Sequence, residues 1–269
     1  MLLLNRPNFV QFILKVSKLC NLRCKYCYEY PFLDDPTSMT HEQLETMYLG
    51  IAQYYRQLEV RPDIHFVWHG GEPLLRPPDF YRQTIRMQRR IFGGDLEVKN
   101  FIQTNLVSMT DEKIDLLKHF FDGVGVSIDL FGDLRVNLAG VVRQRAVLEN
   151  MDRLTRAGVD FGCIVVLSGA NQHKLPQIFE FFARMNLSFR VLPLFAGAEA
   201  GQHGEWDIGA KETKVALENL ADLWFANESK IDVEPISSHL KDVLRHRAPV
   251  DTSHYYDRRA GESIIIVST

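Results

Sequence analysis

The sequence predicts an α/β protein built on a parallel sheet, and three observations carry that reading. Six short apolar runs rich in Val, Ile and Phe recur along the chain, nearly continuous in hydrophobicity, as strands buried on both faces are. Amphipathic stretches with apolar residues at three- and four-residue steps separate them. Strand–helix units in series demand right-handed crossovers, and so a parallel sheet. That sheet is either open and doubly wound or curled into a barrel or partial barrel. At 269 residues the chain is long enough to bury the core of either.

The predicted strands are residues 9–16, 63–68, 98–103, 124–128, 161–167 and 189–195. The helix after the first strand carries the stripe Leu44, Met47, Tyr48, Ile51 and Tyr55. It opens on a capping box, Thr40 with Gln43 at the third helical position. Leu148, Met151 and Leu154 stripe the fourth helix, which Gly158 closes as a C-cap glycine does. Ile178, Phe182 and Met185 stripe the next. Residues 196–209 hold four glycines and read as a loop or lid. Residues 211–225 follow as a helix with Val215, Leu220 and Trp224 on one face, and residues 236–246 as another ending in basic residues. The apolar run 264–267 reads as a last strand. Three regions result: a core over 1–195, a lid with C-terminal helices over 196–262, and at 263–269 the first strand of a further domain.

Charge and composition exclude several functions. A net charge of −3 gives no field to hold a polyanionic backbone, so no nucleic-acid partner is expected. No apolar run reaches membrane-spanning length, so no membrane is expected either. Of four cysteines, Cys20, Cys24 and Cys27 crowd into eight positions just after the first strand. Such spacing suits a metal or cluster site in a reducing compartment, and the cytoplasm is the expected location. Three thiolates can hold an iron–sulfur cube by three of its irons, leaving the fourth open to a ligand. A zinc site completed by His41 is the competing reading. Cys163, mid-strand among Phe161, Ile164 and Val165, reads as a small hydrophobe.

The stretch Cys20-Asn-Leu-Arg-Cys24-Lys-Tyr26-Cys27 resembles the signature of the radical S-adenosylmethionine (SAM) enzymes, aromatic Tyr26 included. That resemblance spans residues 9–195 and implies a partial (β/α)6 TIM-like barrel. It implies two cofactors, a 4Fe–4S cluster on the three cysteines and SAM chelated by the unique iron through its methionine amine and carboxylate. Reduction of the sulfonium then gives a 5′-deoxyadenosyl radical. Gly70 and Gly71 in Trp68-His-Gly-Gly-Glu-Pro73 let the backbone come close to a ligand. This run resembles the family's GGEP element, with Glu72 taking the methionine ammonium. Gln103 and Asn105 after the third strand, and Ser127 and Asp129 at the end of the fourth, are polar groups suited to ribose hydroxyls and a carboxylate. In look-alikes the serine and a later arginine hold the SAM carboxylate. Arg135 matches, offering a bidentate fork that lysine lacks. Two departures stand out: Leu106 replaces the usual glycine after Gln-Thr-Asn, and Leu130-Phe131 replaces the usual Gly-Pro. No side chain beyond the cluster ligands carries an expected catalytic role.

Together the motifs most resemble the peptide- and protein-modifying branch, with its SPASM extension of auxiliary clusters. No cysteine follows Cys163, so such clusters are not expected here, and the run 262–269 looks like the strand that opens the extension. The chain is therefore expected to end early and to cleave SAM slowly, with the lid and last strand poorly ordered. The leading expectation is a peptide maturase that abstracts hydrogen from a residue of a ribosomally made precursor peptide and forges a cross-link. The second is a sulfatase-type maturase making formylglycine. A non-catalytic iron–sulfur redox sensor is the third, though it has no use for a Gly-Gly-Glu-Pro turn. With few residues before the first strand, leader recognition falls to a separate leader-binding protein or to the lid. A flavodoxin or ferredoxin is the expected electron donor.

Overall fold

The computed structural model describes residues 9–194, 204–227, 231–247 and 264–269. Six of its strands lie where the apolar runs predict: β1 (Phe9–Ser17), β2 (Asp63–Gly70), β3 (Val98–Thr104), β4 (Gly123–Ser127), β5 (Phe161–Leu167) and β6 (Phe189–Pro193). The alternating buried and half-buried residues of β1 and β2 show one sheet face packed tight and the other looking into the barrel. Two strands, β7 (Val233–Glu234) and β8 (Ile264–Ser268), complete an eight-stranded sheet in the order β7-β6-β5-β4-β3-β2-β1-β8. Each neighbouring pair is parallel. The sheet is open between β7 and β8, as a partial barrel is.

Helices α1 (His41–Arg56), α2 (Pro78–Phe92), α3 (Asp111–Phe120), α4 (Gln144–Ala157) and α5 (Leu175–Met185) return the chain between the first six strands. Both halves of the Thr40–Gln43 capping box are formed. Gly158 adopts the left-handed conformation at φ 69°, ψ 37° and ends α4. Val10, Leu14, Ile64, Phe66, Trp68 and Val126 pack with Leu44, Tyr48, Phe92, Met151 and Phe182 in one continuous core. A buried polar chain crosses it. Trp68 Nε1 donates to Asn100 Oδ1, Asn100 Nδ2 to Gln88 Oε1, and Gln88 Nε2 to the Tyr48 hydroxyl.

Two sequence expectations are corrected. Met185 is half exposed, because α5 buries the stripe Leu175, Ile178, Phe179 and Phe182 and then stops at left-handed Asn186. Val215 is exposed in α6 (Ala210–Ala226). The buried stripe is Ala216 and Leu220, and the four-residue step continues to half-buried Trp224, so Val215 sits one position off it. The run 264–267 forms a strand, as expected, at the end of the sheet. It pairs with β1 in the register Gln11↔Ile264 to Lys15↔Ser268, though Ile264 and Ile266 keep exposed side chains. Helix α7 (Ile236–Arg247) follows β7. Of the expected lid, 196–203 fall outside the described residues. The rest docks on the barrel, with Gly169 N donating to Trp206 O and with Trp206 and Ile208 packed against Leu22, Cys24, Tyr26, Leu134 and Leu194. Among the described residues no helix is long and apolar enough to cross a membrane.

Leu106, where the resemblance implies glycine, takes φ 55° and is fully buried. The left-handed backbone costs about 1–2 kcal/mol. Burial of a leucine side chain returns roughly 1.5–3 kcal/mol, enough to hold it there.

Candidate functional site

The cysteine loop leaves the carboxyl end of β1 and crosses the end of β2. There Gly71 N donates to Ser17 O and Glu72 N to Leu19 O. A Cβ on Gly70, at φ 123°, would lie 2.2 Å from Ser17 O, and one on Gly71 would lie 2.3 Å from both Lys18 O and Leu19 O. The two glycines are thus required by backbone meeting backbone within the protein, where the sequence pointed only to a ligand.

Glu72 is 2% exposed and is not among the residues that line the cavity described below. Its Oε1 accepts from Leu74 N and Thr104 Oγ1, and its Oε2 from Asn105 N. Burial pushes its carboxyl up, opposed by those donors. A carboxylate engaged in this way pins the Gly-Gly turn to the end of β3.

Asn105 extends the pin to the cysteine loop, its Nδ2 donating to Asn21 Oδ1 at 2.7 Å and contacting Cys20 Sγ at 3.8 Å. The loop is also held from the far side, by Arg23 N donating to Val136 O and Lys25 N to Leu134 O. Cys20, Cys24 and Cys27 consequently share one wall of a cavity of about 350 Å³ at the carboxyl ends of the strands, within the usual range for small-molecule sites. Tyr26, Gly70, Gly71, Gln103, Asn105, Ser127 and Arg135 line it too. An apolar part of its lining is formed by Ile164, Val166, Leu192, Pro193 and Leu194.

The three thiols suit a cluster. Burial pushes Cys20 up to about 12 and Cys27 up to about 11, and raises Cys24 as well. Deprotonation at neutral pH therefore calls for a strong positive charge among them, as irons supply. Among the described residues no three His, Cys, Asp or Glu side chains converge on a point that one ion could fill. The zinc reading calls on His41, which is not among the residues of that cavity. His41 instead stacks on Phe80 and bonds Phe80 O through Nε2.

Around the barrel, Gln103 Nε2 donates to Ser127 Oγ at 2.7 Å. Gly125 makes room for this, since a Cβ there would meet Gln103 Oε1 at 2.0 Å. The Ser127 hydroxyl proton stays free to donate into the cavity. Asp129 is 5% exposed, accepts from Val166 N and from the Tyr26 hydroxyl, and is not among the residues that line the cavity. Arg135 is 8% exposed. Its Nη1 donates to the Tyr26 hydroxyl at 2.9 Å and lies 3.9 Å from Asp129 Oδ2. Its Nε is buried without a partner.

Among the cavity residues to which sequence reasoning gave no role are Tyr28, Glu29 and His69. Lys15 pairs with Glu29 and sits over the Tyr28 ring. His69 Nδ1 accepts from Gly70 N, and burial holds its pKa below the usual value. Their signal was positional, just after the last cysteine and at the very end of β2.

Comparison with known proteins places this geometry. The serine-type anaerobic sulfatase-maturating enzyme of Bacteroides thetaiotaomicron is 27% identical over 192 residues, 68% of this chain and 45% of that protein. The cysteine-type enzyme of Clostridium novyi is 23% identical over 215 residues, 78% and 58% of the two chains. This chain thus spans about half the length of the curated relatives it matches. Among solved structures, anSMEcpe with bound AdoMet and Cp18Cys peptide superposes with a TM-score of 0.74 at 20% identity, covering 89% of this chain and 67% of that one. Streptococcus suis SuiB bound to S-adenosylmethionine gives 0.65 at 15% identity, covering 97% and 59%. Both likenesses are of fold. The Radical SAM superfamily, whose members use a 4Fe–4S cluster with SAM, matches residues 14–182, the stretch that carries the cysteine loop and every strand end lining the cavity from β1 to β5, and the chain belongs to it.

Proposed function

We propose that this chain is the catalytic core of a radical SAM maturase that modifies a residue of a peptide or protein. The observation that carries the reading is the single cavity in which the three thiols face the Gly70–Gly71 turn, Ser127 and Arg135. In it Cys20, Cys24 and Cys27 would hold the cluster. Ser127 and Arg135 would hold the carboxylate of SAM, and the Gly70-Gly71-Glu72 turn its amine. When bound, the two groups together supply a carbon-centred radical that takes a hydrogen atom from the substrate. The chain's own part is to bind, orient and exclude water. The apolar wall of Ile164, Val166, Leu192, Pro193 and Leu194 would receive an apolar or aromatic side chain and keep the radical from solvent.

For the finer reaction we favour a cross-link within a ribosomally made precursor peptide. A leader-binding protein and a flavodoxin or ferredoxin would act as partners in the reducing cytoplasm. Formylglycine formation is the second reading, favoured by the sulfatase-maturating relatives. Anaerobic reconstitution tests both. The wild type is expected to gain a brown iron–sulfur chromophore and to release 5′-deoxyadenosine from SAM. Joint replacement of Cys20, Cys24 and Cys27 by alanine is expected to remove both. Retained chromophore and iron in that variant would refute the cluster assignment. On substrate, a cross-link removes two hydrogens and resists hydrazides, whereas formylglycine reacts with a hydrazide whether made from cysteine or serine.

A further inference from the structure

Arg135 is a buried cation with few partners. Of its five N–H donors, the described residues accept from Nη1 alone, and the acceptor is a neutral phenol. Nε is buried and unpartnered, and the nearest carboxylate stands 3.9 Å from Nη1. A guanidinium so placed on a cavity wall is poised for a carboxylate brought by a ligand. Yet its own side chain is long and flexible, so something must fix where the fork points.

The structure supplies that restraint in three links. Asp129, at the end of β4, is tied to β5 by the Val166 N–H on Oδ1. Its Oδ2 accepts from the Tyr26 hydroxyl, buried with it. The same hydroxyl oxygen accepts from Arg135 Nη1. Backbone bonds from Arg23 N to Val136 O and from Lys25 N to Leu134 O flank Arg135 on either side and tie its segment to the stretch just before Tyr26. Tyr26 belongs to the cysteine loop and Arg135 to the loop after β4, so one phenol hydroxyl joins the segment that holds the thiols to the arginine. Removal of that oxygen alone leaves Arg135 Nη1 and Asp129 Oδ2 facing each other across 3.9 Å, beyond hydrogen-bond reach.

We propose that Tyr26 and Asp129 are positioning residues for Arg135: through the Tyr26 hydroxyl they aim its guanidinium at the carboxylate of SAM and couple that contact to the order of the cysteine loop. This rests on the reading that Arg135 takes the SAM carboxylate, and the test separates the two. Affinity is measured by calorimetry on the cluster-loaded full chain, with SAM and with decarboxylated SAM, which lacks only the carboxylate. Tyr26→Phe is expected to weaken SAM binding by about tenfold, the scale of one charge-assisted hydrogen bond. Affinity for decarboxylated SAM and the iron content should stay unchanged. Asp129→Asn should shift SAM affinity in the same direction. In the double variant with Arg135→Ala, Tyr26→Phe should add nothing further, because the group it positions is gone.

An Arg135→Ala protein that keeps full SAM affinity would overturn the carboxylate reading itself. A normal response to Arg135→Ala with no effect of Tyr26→Phe would overturn only the positioning role. Equal losses for SAM and decarboxylated SAM in Tyr26→Phe would also overturn it, since a general disturbance of the pocket does not distinguish a carboxylate.

Discussion

Replacing Glu72 by alanine is expected to lower the melting temperature of the cluster-free protein by roughly 10 °C. The change strands the N–H groups of Leu74 and Asn105 and frees Thr104 Oγ1, all in an interior that water does not reach. Each buried donor left without an acceptor costs about 1–3 kcal/mol. Removing a carboxylate that burial already disfavours offsets part of this, so the net loss is about 3–4 kcal/mol, and for a chain of this size each kcal/mol moves the midpoint by about 2–4 °C. Glu72→Gln is expected to recover only part of this, because its amide oxygen can take the Leu74 and Thr104 donors while its N–H faces the Asn105 N–H. Thermal unfolding followed by circular dichroism measures both. An unchanged midpoint in the alanine variant would mean that the carboxylate is not the pin described here.

Gly71→Ala is expected to abolish cluster loading. The new methyl carbon would stand 2.3 Å from the carbonyl oxygens of Lys18 and Leu19 and 2.6 Å from the Leu19 carbonyl carbon. All are main-chain atoms with no rotamer to yield, so the segment entering Cys20 must move. Iron per chain after reconstitution is the measurement, and near-background values are expected. Gly50→Ala is the control. That glycine lies in α1 with nothing within 4 Å of where the new methyl would stand, and alanine there should stabilise the helix by about 0.5–1 kcal/mol. Normal iron in Gly71→Ala would show that the loop tolerates displacement.

The barrel was readable because its strands are short apolar runs punctuated by helices, and burial on both faces writes itself into composition. The Cys20–Cys27 loop was readable for a different reason, since ligand chemistry restricts both residue type and spacing. What the sequence hid was which polar residue faces the cavity and which faces the protein. Glu72 and Asp129 sit in the same motifs as Gly71 and Ser127. Whether a side chain at a strand end turns inward depends on donors from other strands, such as Thr104 and Val166, that no local pattern announces. The pairing of β8 with β1 was hidden as well, since partners so far apart in sequence leave no local pattern.

That pairing has a consequence for biogenesis. β1 delivers the cysteine loop, and in the finished sheet it is flanked by β2 on one side and β8 on the other. During synthesis β2 follows it closely, but the partner of Gln11 is Ile264, made only after the rest of the barrel. Until then the strand beneath the thiols has one bare, apolar edge, the state in which β-strands recruit other chains. Contacts so far apart in sequence also form slowly. Iron delivery that waits for residues 264–268 would find the loop seated on a strand held from both sides. Delivery to a nascent chain would meet it on a strand still half free.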